Sequence, residues 1–220
     1  MKPWEQLDRA KTPDGSVLEL LRHDEDYLIR VDGYELMTSR MHASEEAMMA
    51  LACAHPRDGA RVLVGGLGMG YTARAALDLL PPRASMVIAE LSPAVVEWNR
   101  GPLGPLAGHP LDDLRTEVVI GDVTKVVQRE GEGFDAILLD VDNGPTALTD
   151  RSNRWLYTAG GLGALREALR PGGGVAIWSI GDEPSFERRL RSAGLEPSTH
   201  RIRARGKRGP WHVVFVGKRR

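Results

Sequence analysis

The sequence predicts an α/β protein built around a Rossmann-like, doubly wound sheet of seven strands, and three observations support this prediction. An apolar strand over residues 61–65 runs into a glycine-rich turn and then an amphipathic helix over 71–80. From residue 61 onward, strand-length apolar runs alternate with helical segments, which is typical of a parallel sheet covered by helices on both faces. The last two apolar runs follow each other directly, which indicates an antiparallel hairpin that closes the sheet.

The remaining elements divide the chain into two parts. Residues 1–40 are expected to hold a small antiparallel β-hairpin element after a polar lead-in over 1–16, because Asp32-Gly33 is a two-residue hairpin signal. Residues 41–220 are expected to form a Rossmann-like nucleotide-binding catalytic domain, which begins with a helix over 43–54. Its strands are predicted at 61–65, 85–90, 116–120, 134–140, 173–179, 196–203 and 211–217. Its other helices are predicted near 71–80, 93–100, 123–130, 158–170 and 183–194.

The overall composition is that of a globular protein with nearly balanced charge. Hydrophobic residues make up 42% of the chain and charged residues 27%, and 29 basic against 30 acidic side chains give a formal charge of -1. This balance excludes binding of polyanions by the field of the whole chain. Five positive charges fall within residues 201–208, where a solvated hairpin loop is favoured over a nucleic-acid patch. Nucleic acid is therefore the less favoured partner.

Cysteine, histidine and hydropathy patterns bear on cofactors and location. The single cysteine, Cys53, rules out an internal disulfide and a cysteine-rich metal site. The six histidines are scattered without the spacing of metal ligands, so no bound metal is expected. No apolar leader segment follows Met1 and no run of eighteen apolar residues occurs, so we expect a cytoplasmic protein without membrane contact.

The glycine-rich turn is the first indication of a ligand. Gly66, Gly68 and Gly70 allow a tight turn and close approach of a ligand to the main chain, and the following helix presents unpaired N–H groups. A dinucleotide-binding pattern G-x-G-x-x-G would need glycine at position 71, which holds Tyr71. The spacing G-x-G-x-G is the one that we associate with S-adenosylmethionine-type nucleotides.

Acidic residues follow the next two strands, at the edge where ligands bind in open α/β sheets. Glu90 ends one strand, where its carboxylate would accept both ribose hydroxyls; the alternative is that Glu90 and Ser92 only open the next helix, with Ser92 as its N-cap. Asp122 follows the next strand and would accept a hydrogen bond from the adenine amino group, with Val123 flanking the ring. An equally weighted alternative is that Asp122 caps the helix beginning at Val123.

Further polar residues follow the fourth strand of the domain. Asp140 ends an apolar run and would be partly desolvated, which makes it a candidate to hold and deprotonate an amine. Asp142 and Asn143 lie in the turn that follows, where they would orient a substrate, and Glu46 is another candidate for that role. A turn in which Asp142 bonds its own backbone is the structural alternative. Tyr157 lies in a later segment that would either cover the substrate or pack into the core.

Seven short motifs occur in order over roughly residues 34–180: Ser44-Glu-Glu46, His55-Pro56, Gly66-Leu-Gly-Met-Gly70, Glu90, Gly121-Asp122, Phe134-Asp-Ala-Ile-Leu-Leu-Asp140 and Gly144-Pro145. In this combination the chain resembles the spermidine synthase family, within the class I S-adenosylmethionine-dependent methyltransferase superfamily. The resemblance favours the adenine interpretation of Asp122 and implies that Asp140 is the acid beside the attacking amine. It also implies S-adenosylmethionine or its decarboxylated form as co-substrate, a small amine as acceptor and a role in polyamine biosynthesis, and it is compatible with a homodimer.

The chain also departs from this family at the substrate end. Members that transfer aminopropyl groups usually carry an acid inside the glycine turn, where this chain has Met69, and a late tyrosine near the diamine, which has no obvious counterpart here. The leading hypothesis is a transferase that moves an aminopropyl or methyl group to a small amine, with Asp140 as the base. The alternatives are a methyltransferase acting on tRNA or another substrate, and a nucleotide-binding homologue without catalytic activity.

Overall fold

The computed structural model describes residues 2–12, 15–129, 131, 133–141 and 153–220, which form two β-sheets and their covering helices. The smaller sheet is N-terminal and antiparallel, with strands β1 (Glu5–Lys11), β2 (Val17–His23), β3 (Asp26–Val31) and β4 (Tyr34–Thr38) in sequential order. The predicted two-residue turn lies between β3 and β4, where Asp32 and Gly33 have φ values of 49° and 82°. Positive φ at both central residues is what such a hairpin turn requires.

The N-terminal sheet is larger than the predicted hairpin. The polar segment predicted as a lead-in contributes β1, which pairs antiparallel with β2. Within β1 only Leu7 and Ala10 are partly buried against the core, so the strand shows no apolar face in the sequence. Cross-strand pairing with β2, rather than burial of its own side chains, holds β1 in the sheet.

The larger sheet has seven strands and confirms the predicted fold class. Its strands are β5 (Arg61–Gly65), β6 (Ser85–Glu90), β7 (Thr116–Ile120), β8 (Phe134–Leu139), β9 (Leu169–Ser179), β10 (Leu195–Arg205) and β11 (Arg208–Arg219). Their order is β10-β11-β9-β8-β5-β6-β7, with β5 to β9 parallel and β11 antiparallel to both of its neighbours. The bounds of β5 to β7 agree with the prediction, whereas β9 to β11 extend further because backbone pairing continues through polar and glycine residues.

Helices cover both faces of this sheet. On one face lie α1 (Ala43–Ala52), α2 (Tyr71–Leu79) and α3 (Pro93–Arg100), and on the other lie α4 (Val123–Arg129), α5 (Ala159–Ala168) and α6 (Phe186–Ser192). Two short 3-10 helices, Gly104–Ala107 and Asn153–Tyr157, precede β7 and α5. A separate hydrophobic cluster fills each face. In the described part of the chain, no helix has the length and hydropathy needed to cross a membrane.

The two sheets share one of these hydrophobic clusters. Leu20 of β2 and Ile29 of β3 lie in the same buried cluster as Met48 of α1 and Val64 of β5. All four side chains are at most 1% exposed. The N-terminal sheet therefore packs on the α1 to α3 side of the larger sheet.

The strand order turns around at β5, which pairs with β6 on one side and with β8 on the other. Ligands of open α/β sheets bind at such a switch point, outside the carboxyl ends of the strands. The glycine turn, Glu90, Asp122 and Asp140 directly follow or end strands β5 to β8. The parallel strands thus bring these predicted site residues to one edge of the sheet.

Candidate nucleotide and amine site

The glycine turn between β5 and α2 leaves no room for side chains. A Cβ on Gly66 would lie 2.2 Å from the main-chain oxygen of Asp140, and a Cβ on Gly68 would lie 2.9 Å from Sδ of Met37 in β4. Gly66, Gly68 and Gly70 have φ values of 86°, 51° and 85°, in the region that favours glycine. Contacts within the protein therefore require Gly66 and Gly68, and the turn presents its main chain at the switch point.

Glu90 ties the glycine turn to the end of β6. Its Oε2 accepts the N–H of Leu67 and its Oε1 accepts the N–H of Ser92, both at 2.8 Å. Burial raises the pKa of the Glu90 carboxyl. Backbone hydrogen bonds from Ser92, Leu67 and Leu91 act against this rise. The predicted N-cap, Ser92, precedes α3 but makes no capping hydrogen bond through its side chain.

Asp122 and Val123 lie at the start of α4. Oδ1 of Asp122 accepts the N–H of Thr124 at 2.8 Å, so the capping interpretation describes a contact that is present. Val123 is 4% exposed, and its Cγ2 lies 2.9 Å from the position of a Cβ on Gly65. Val123 therefore packs against the end of β5, next to the glycine turn. The adenine roles of both residues stay predictions.

Asp140 lies beside the glycine turn and faces a second acid. Its N–H donates to the oxygen of Gly65 at 2.8 Å, and its Oδ2 accepts the hydroxyl of Thr72 at 2.9 Å. Burial and the nearby Asp140 carboxylate raise the pKa of Glu45 to about 8. Glu45 is only 4% exposed, so both its burial and the charge of Asp140 disfavour its ionised form.

Glu46, one of the residues predicted to orient a substrate, and its neighbour Glu45 lie on different sides of α1. Glu46 lies on the exposed side of α1, where its Oε1 is 2.9 Å from Nδ1 of His42. Glu45 shares the buried face of α1 with Met48, Met49 and Ala52. The spacing of those apolar residues, three, four and seven positions after Glu45, is the helical signal that would have identified it.

Glu46 contributes to a groove beside the site. His42 stacks on Tyr71 with ring centroids 4.2 Å apart, and both line a cavity of about 590 Å³ with Glu46 and Arg74. Burial, and then the negative charges of Glu46 and Glu45, raise the pKa of Tyr71 to about 12. The phenol therefore stays protonated at neutral pH and contributes no charge to the groove.

A buried polar cluster that sequence analysis did not find lies behind Glu45. Ser44 is fully buried, and its Oγ contacts Oε2 of Glu45, Nδ1 of His212 at 2.8 Å and Nε1 of Trp178 at 3.0 Å. The Trp178 and His212 rings meet edge to face at 4.8 Å. Burial lowers the pKa of His212. Because 168 positions separate Ser44 from His212, only the fold brings this cluster together.

The other predicted substrate residues differ in their placement. Tyr157 is 5% exposed and lies in the hydrophobic cluster on the α4 to α6 face. Its ring meets that of Phe186 edge to face, with centroids 6.2 Å apart. This placement matches the expectation that Tyr157 packs into the core. Met69 is fully buried in the opposite cluster. Asp142 and Asn143 lie outside the described residues. Within residues that are described, no group of three or more His, Cys, Asp or Glu side chains is arranged to hold a metal ion.

The sheet order, the glycine turn at its switch point and the acids at the ends of β6 and β8 define a class I methyltransferase-like fold. Solved structures agree. The chain matches a spermidine synthase in complex with the transition state analogue AdoDATO with a TM-score of 0.76 and 20% identity, over 96% of this chain and 73% of that one. It matches spermidine synthase from Thermotoga maritima with a TM-score of 0.70 and 19% identity, over 96% and 72% of the two chains.

In sequence, the chain is a homologue of polyamine aminopropyltransferases, which confirms the predicted resemblance. It is 30% identical over 129 residues to the polyamine aminopropyltransferase of Sulfolobus acidocaldarius, a match that covers 59% of this chain. It is 31% identical over 162 residues to polyamine aminopropyltransferase 2 of Pseudomonas aeruginosa, over 69% of this chain. The matched segments span only 41% and 43% of these two relatives. No family model matches the chain.

Proposed function

We propose that this protein transfers an aminopropyl group from decarboxylated S-adenosylmethionine to a small amine. The observation that carries the proposal is Asp140, held by Gly65 and Thr72 beside the glycine turn at the sheet's switch point, with its charge acting on the buried Glu45. A cationic amine is attracted to such a carboxylate, and its deprotonation is the difficulty that an acceptor of this kind presents at neutral pH. The names of the relatives favour the same reaction.

The main chain of the glycine turn and the carboxylate of Glu90 would hold the ribose end of the nucleotide. Asp122 would accept from the adenine amino group, and Val123 would flank the ring. A Cβ on Gly121, directly before Asp122, would meet no atom within 4 Å, so the main chain there is not covered by neighbouring side chains. When bound, the nucleotide supplies a sulfonium whose attached carbon is open to attack.

Asp140 would hold the acceptor amine in line with that carbon and take its proton. A carbon–nitrogen bond forms while the carbon–sulfur bond breaks, the sulfur becomes a neutral thioether and the proton from nitrogen passes to the Asp140 carboxylate. The enzyme needs alignment more than charge stabilisation, and alignment contributes on the order of 7–11 kcal/mol in well-oriented cases. Thr72 holds one oxygen of Asp140 for this role.

The preference for the decarboxylated donor is proposed on charge. The carboxylate of Asp140 places negative charge beside the donor site, which disfavours the carboxylate of intact S-adenosylmethionine and tolerates an ammonium group. The side chain of Met69 is fully buried in the hydrophobic core, so it adds no charge to this site. A methyl donor with intact S-adenosylmethionine is the competing hypothesis.

The contacts within the basic hairpin argue against a nucleic acid as the acceptor. Arg203 stacks on Trp211, with its guanidinium carbon 4.0 Å from the ring centroid, and Arg201 forms an ion pair with Asp182. These contacts already use two of the positive charges within residues 201–208. The hairpin is therefore better explained as a self-contained surface element than as a nucleic-acid patch.

The test combines binding and turnover. Calorimetric titration with decarboxylated S-adenosylmethionine, S-adenosylmethionine and methylthioadenosine should show preference for the decarboxylated form, and transfer should then be assayed on diamines. Asp140→Asn should keep nucleotide binding and lose about 10²- to 10⁴-fold in transfer rate, while Asp112→Asn, at an exposed carboxylate, should change neither. Preference for intact S-adenosylmethionine would replace the aminopropyl proposal with a methyl donor. Binding without any transfer would indicate a non-catalytic homologue.

A further inference from the structure

Ser44 has one hydroxyl proton and three polar neighbours. The indole N–H of Trp178 can only donate, so at 3.0 Å it occupies one lone pair of the Ser44 oxygen. Oε2 of Glu45 and Nδ1 of His212 must share the remaining lone pair and the single O–H. Because Ser44 is fully buried and His212 is 7% exposed, water competes little for these contacts.

Two arrangements of hydrogens satisfy all three contacts, and they differ at both ends. When Glu45 is ionised it only accepts, so Ser44 donates to Glu45 and His212 must donate to Ser44 from a protonated Nδ1. When Glu45 carries its proton on Oε2, it donates to Ser44, and Ser44 donates to an unprotonated Nδ1 of His212. The ionisation state of the acid therefore sets which ring nitrogen of His212 carries the proton.

We propose that Ser44 couples the ionisation of Glu45 to the tautomer of His212, and that the three residues form a proton relay behind the amine site. On ionisation, the Glu45 proton passes to Oγ of Ser44, and the Ser44 proton passes to Nδ1 of His212. The proton on Nε2 of His212 then leaves to water. The carboxyl group loses one proton and the solvent gains one, while Ser44 and His212 end neutral.

The surroundings suit a group that changes its protonation state near neutral pH. Glu45 faces Asp140 from β8 and Tyr71 from α2, with Glu46 beside it on α1. Burial first, and then the charge of Asp140, raise the pKa of Glu45 to about 8. Burial lowers the pKa of His212, and the edge-on ring of Trp178 fixes its position. The imidazole is thus neutral in both arrangements, as the relay requires.

The relay gives the amine site an outlet for protons, and this role rests on the proposed function. Asp140 gains a proton in each transfer and must lose it before the next one. Ionised Glu45, on the other side of the amine site, is a second acceptor whose proton leaves through Ser44 and His212. Ser44 and His212 are then positioning residues, because they act through Glu45 and touch no substrate.

The test follows the two ends of the relay in the protein without any ligand. Nitrogen-15 NMR of histidine-labelled protein reports the tautomer of His212, and carbon-13 NMR of the glutamate carboxyl groups reports the ionisation of Glu45. Assignments come from His212→Asn and Glu45→Gln. As pH rises through the titration of Glu45, Nδ1 of His212 should change from unprotonated to protonated, with the same midpoint. A single His212 tautomer throughout that titration would overturn the proposal.

Ser44→Ala provides the second arm. It should leave Glu45 titrating while the His212 tautomer no longer follows it, whereas His200→Asn, at a histidine whose ring contacts Ser198 outside this cluster, should leave the coupling intact. If Ser44→Ala does not fold, the wild-type titration still decides. Because no substrate is present, coupled midpoints without any aminopropyl transfer would refute the proposed function alone, and transfer without coupled midpoints would refute the relay alone.

Discussion

The hydroxyl of Thr72, in the first turn of α2, donates a hydrogen bond of 2.9 Å to Oδ2 of Asp140, at the end of β8. Thr72 is 2% exposed, so no water would replace this donor freely. The main chain of Asp140 is held as well, since its N–H donates to Gly65 at 2.8 Å. The acid proposed to take the amine proton is thus fixed from two sides before any ligand binds.

Thr72→Val should weaken both stability and transfer. Valine keeps the shape of threonine but removes the hydrogen bond to the half-buried Asp140 carboxylate, and a hydrogen bond to a charged group contributes about 1.5–3 kcal/mol. Transfer rate should fall because Asp140 is less well oriented, while nucleotide affinity changes little. Thr72→Ser retains the hydroxyl and is the control in denaturation and rate assays. Equal rates for the valine and serine variants would contradict the positioning role.

Gly66→Ala should destabilise the turn severely. The new Cβ would lie 2.2 Å from the oxygen of Asp140, at a φ of 86° that disfavours any side chain, so main chain must move; we expect a loss of at least ~3 kcal/mol in unfolding free energy. Gly163→Ala is the matched control, because a Cβ there meets no atom within 4 Å in helix α5. That control should stabilise the protein by about 0.5–1 kcal/mol. Urea denaturation measures the unfolding free energy of both variants. If Gly66→Ala lost no more stability than a typical surface substitution, the close packing of Gly66 would be refuted.

The raised pKa of Glu45 predicts a pH-dependent stability. Folding moves this pKa from 4.5 to about 8, so between these values the folded protein holds a proton that the unfolded chain has released. The contribution is present below the unfolded value and is lost as pH rises, with a limiting slope of about 1.4 kcal/mol per pH unit. Glu45→Gln should remove that slope from the variant's own stability curve, so the stability difference between variant and wild type should change with pH by this amount. Glu46→Gln, on the exposed side of α1, is the control and should leave the slope in place.

Met69→Asp tests the departure from aminopropyltransferases that carry an acid in the glycine turn. Met69 is fully buried among apolar side chains, so the introduced carboxylate would lie in the core and not at the ligand. We expect a loss of several kcal/mol in stability, typically ~3 kcal/mol or more, and no gain in affinity for decarboxylated S-adenosylmethionine. Met69→Leu, of similar volume, should lose less than about 1.5 kcal/mol. Tighter binding of the decarboxylated donor by Met69→Asp would show that position 69 reaches the ligand.

Much of the fold could be predicted because its strands are apolar runs between turn residues. The strands over 61–65, 85–90 and 116–120 were predicted with their observed bounds, and the switch-point position of Asp140 follows from their parallel order. The strand β1 could not be predicted, since Glu5–Lys11 has no buried face and depends on a partner strand.

The residues of the candidate site also differ in whether the sequence alone could predict them. Asp140, Glu90 and Asp122 could be found because each ends or follows an apolar run, which is a local signal. The choice of Glu46 over Glu45 ignored the face of α1 that carries Met48 and Met49. The Ser44 and His212 contact has no local signal at all, because long-range packing alone creates it.

The hydrophobic cluster that the two sheets share bears on whether the chain can be divided into two independently folded parts. Leu20 and Ile29 of the small sheet are sealed against Met48 of α1, and Met37 touches the glycine turn. Removal of the residues before position 40 would expose apolar side chains of the larger sheet to solvent. It would also expose the glycine turn. The boundary between the two sheets is therefore a change of topology within one shared hydrophobic cluster, and the first forty residues pack against the turn proposed to bind the nucleotide.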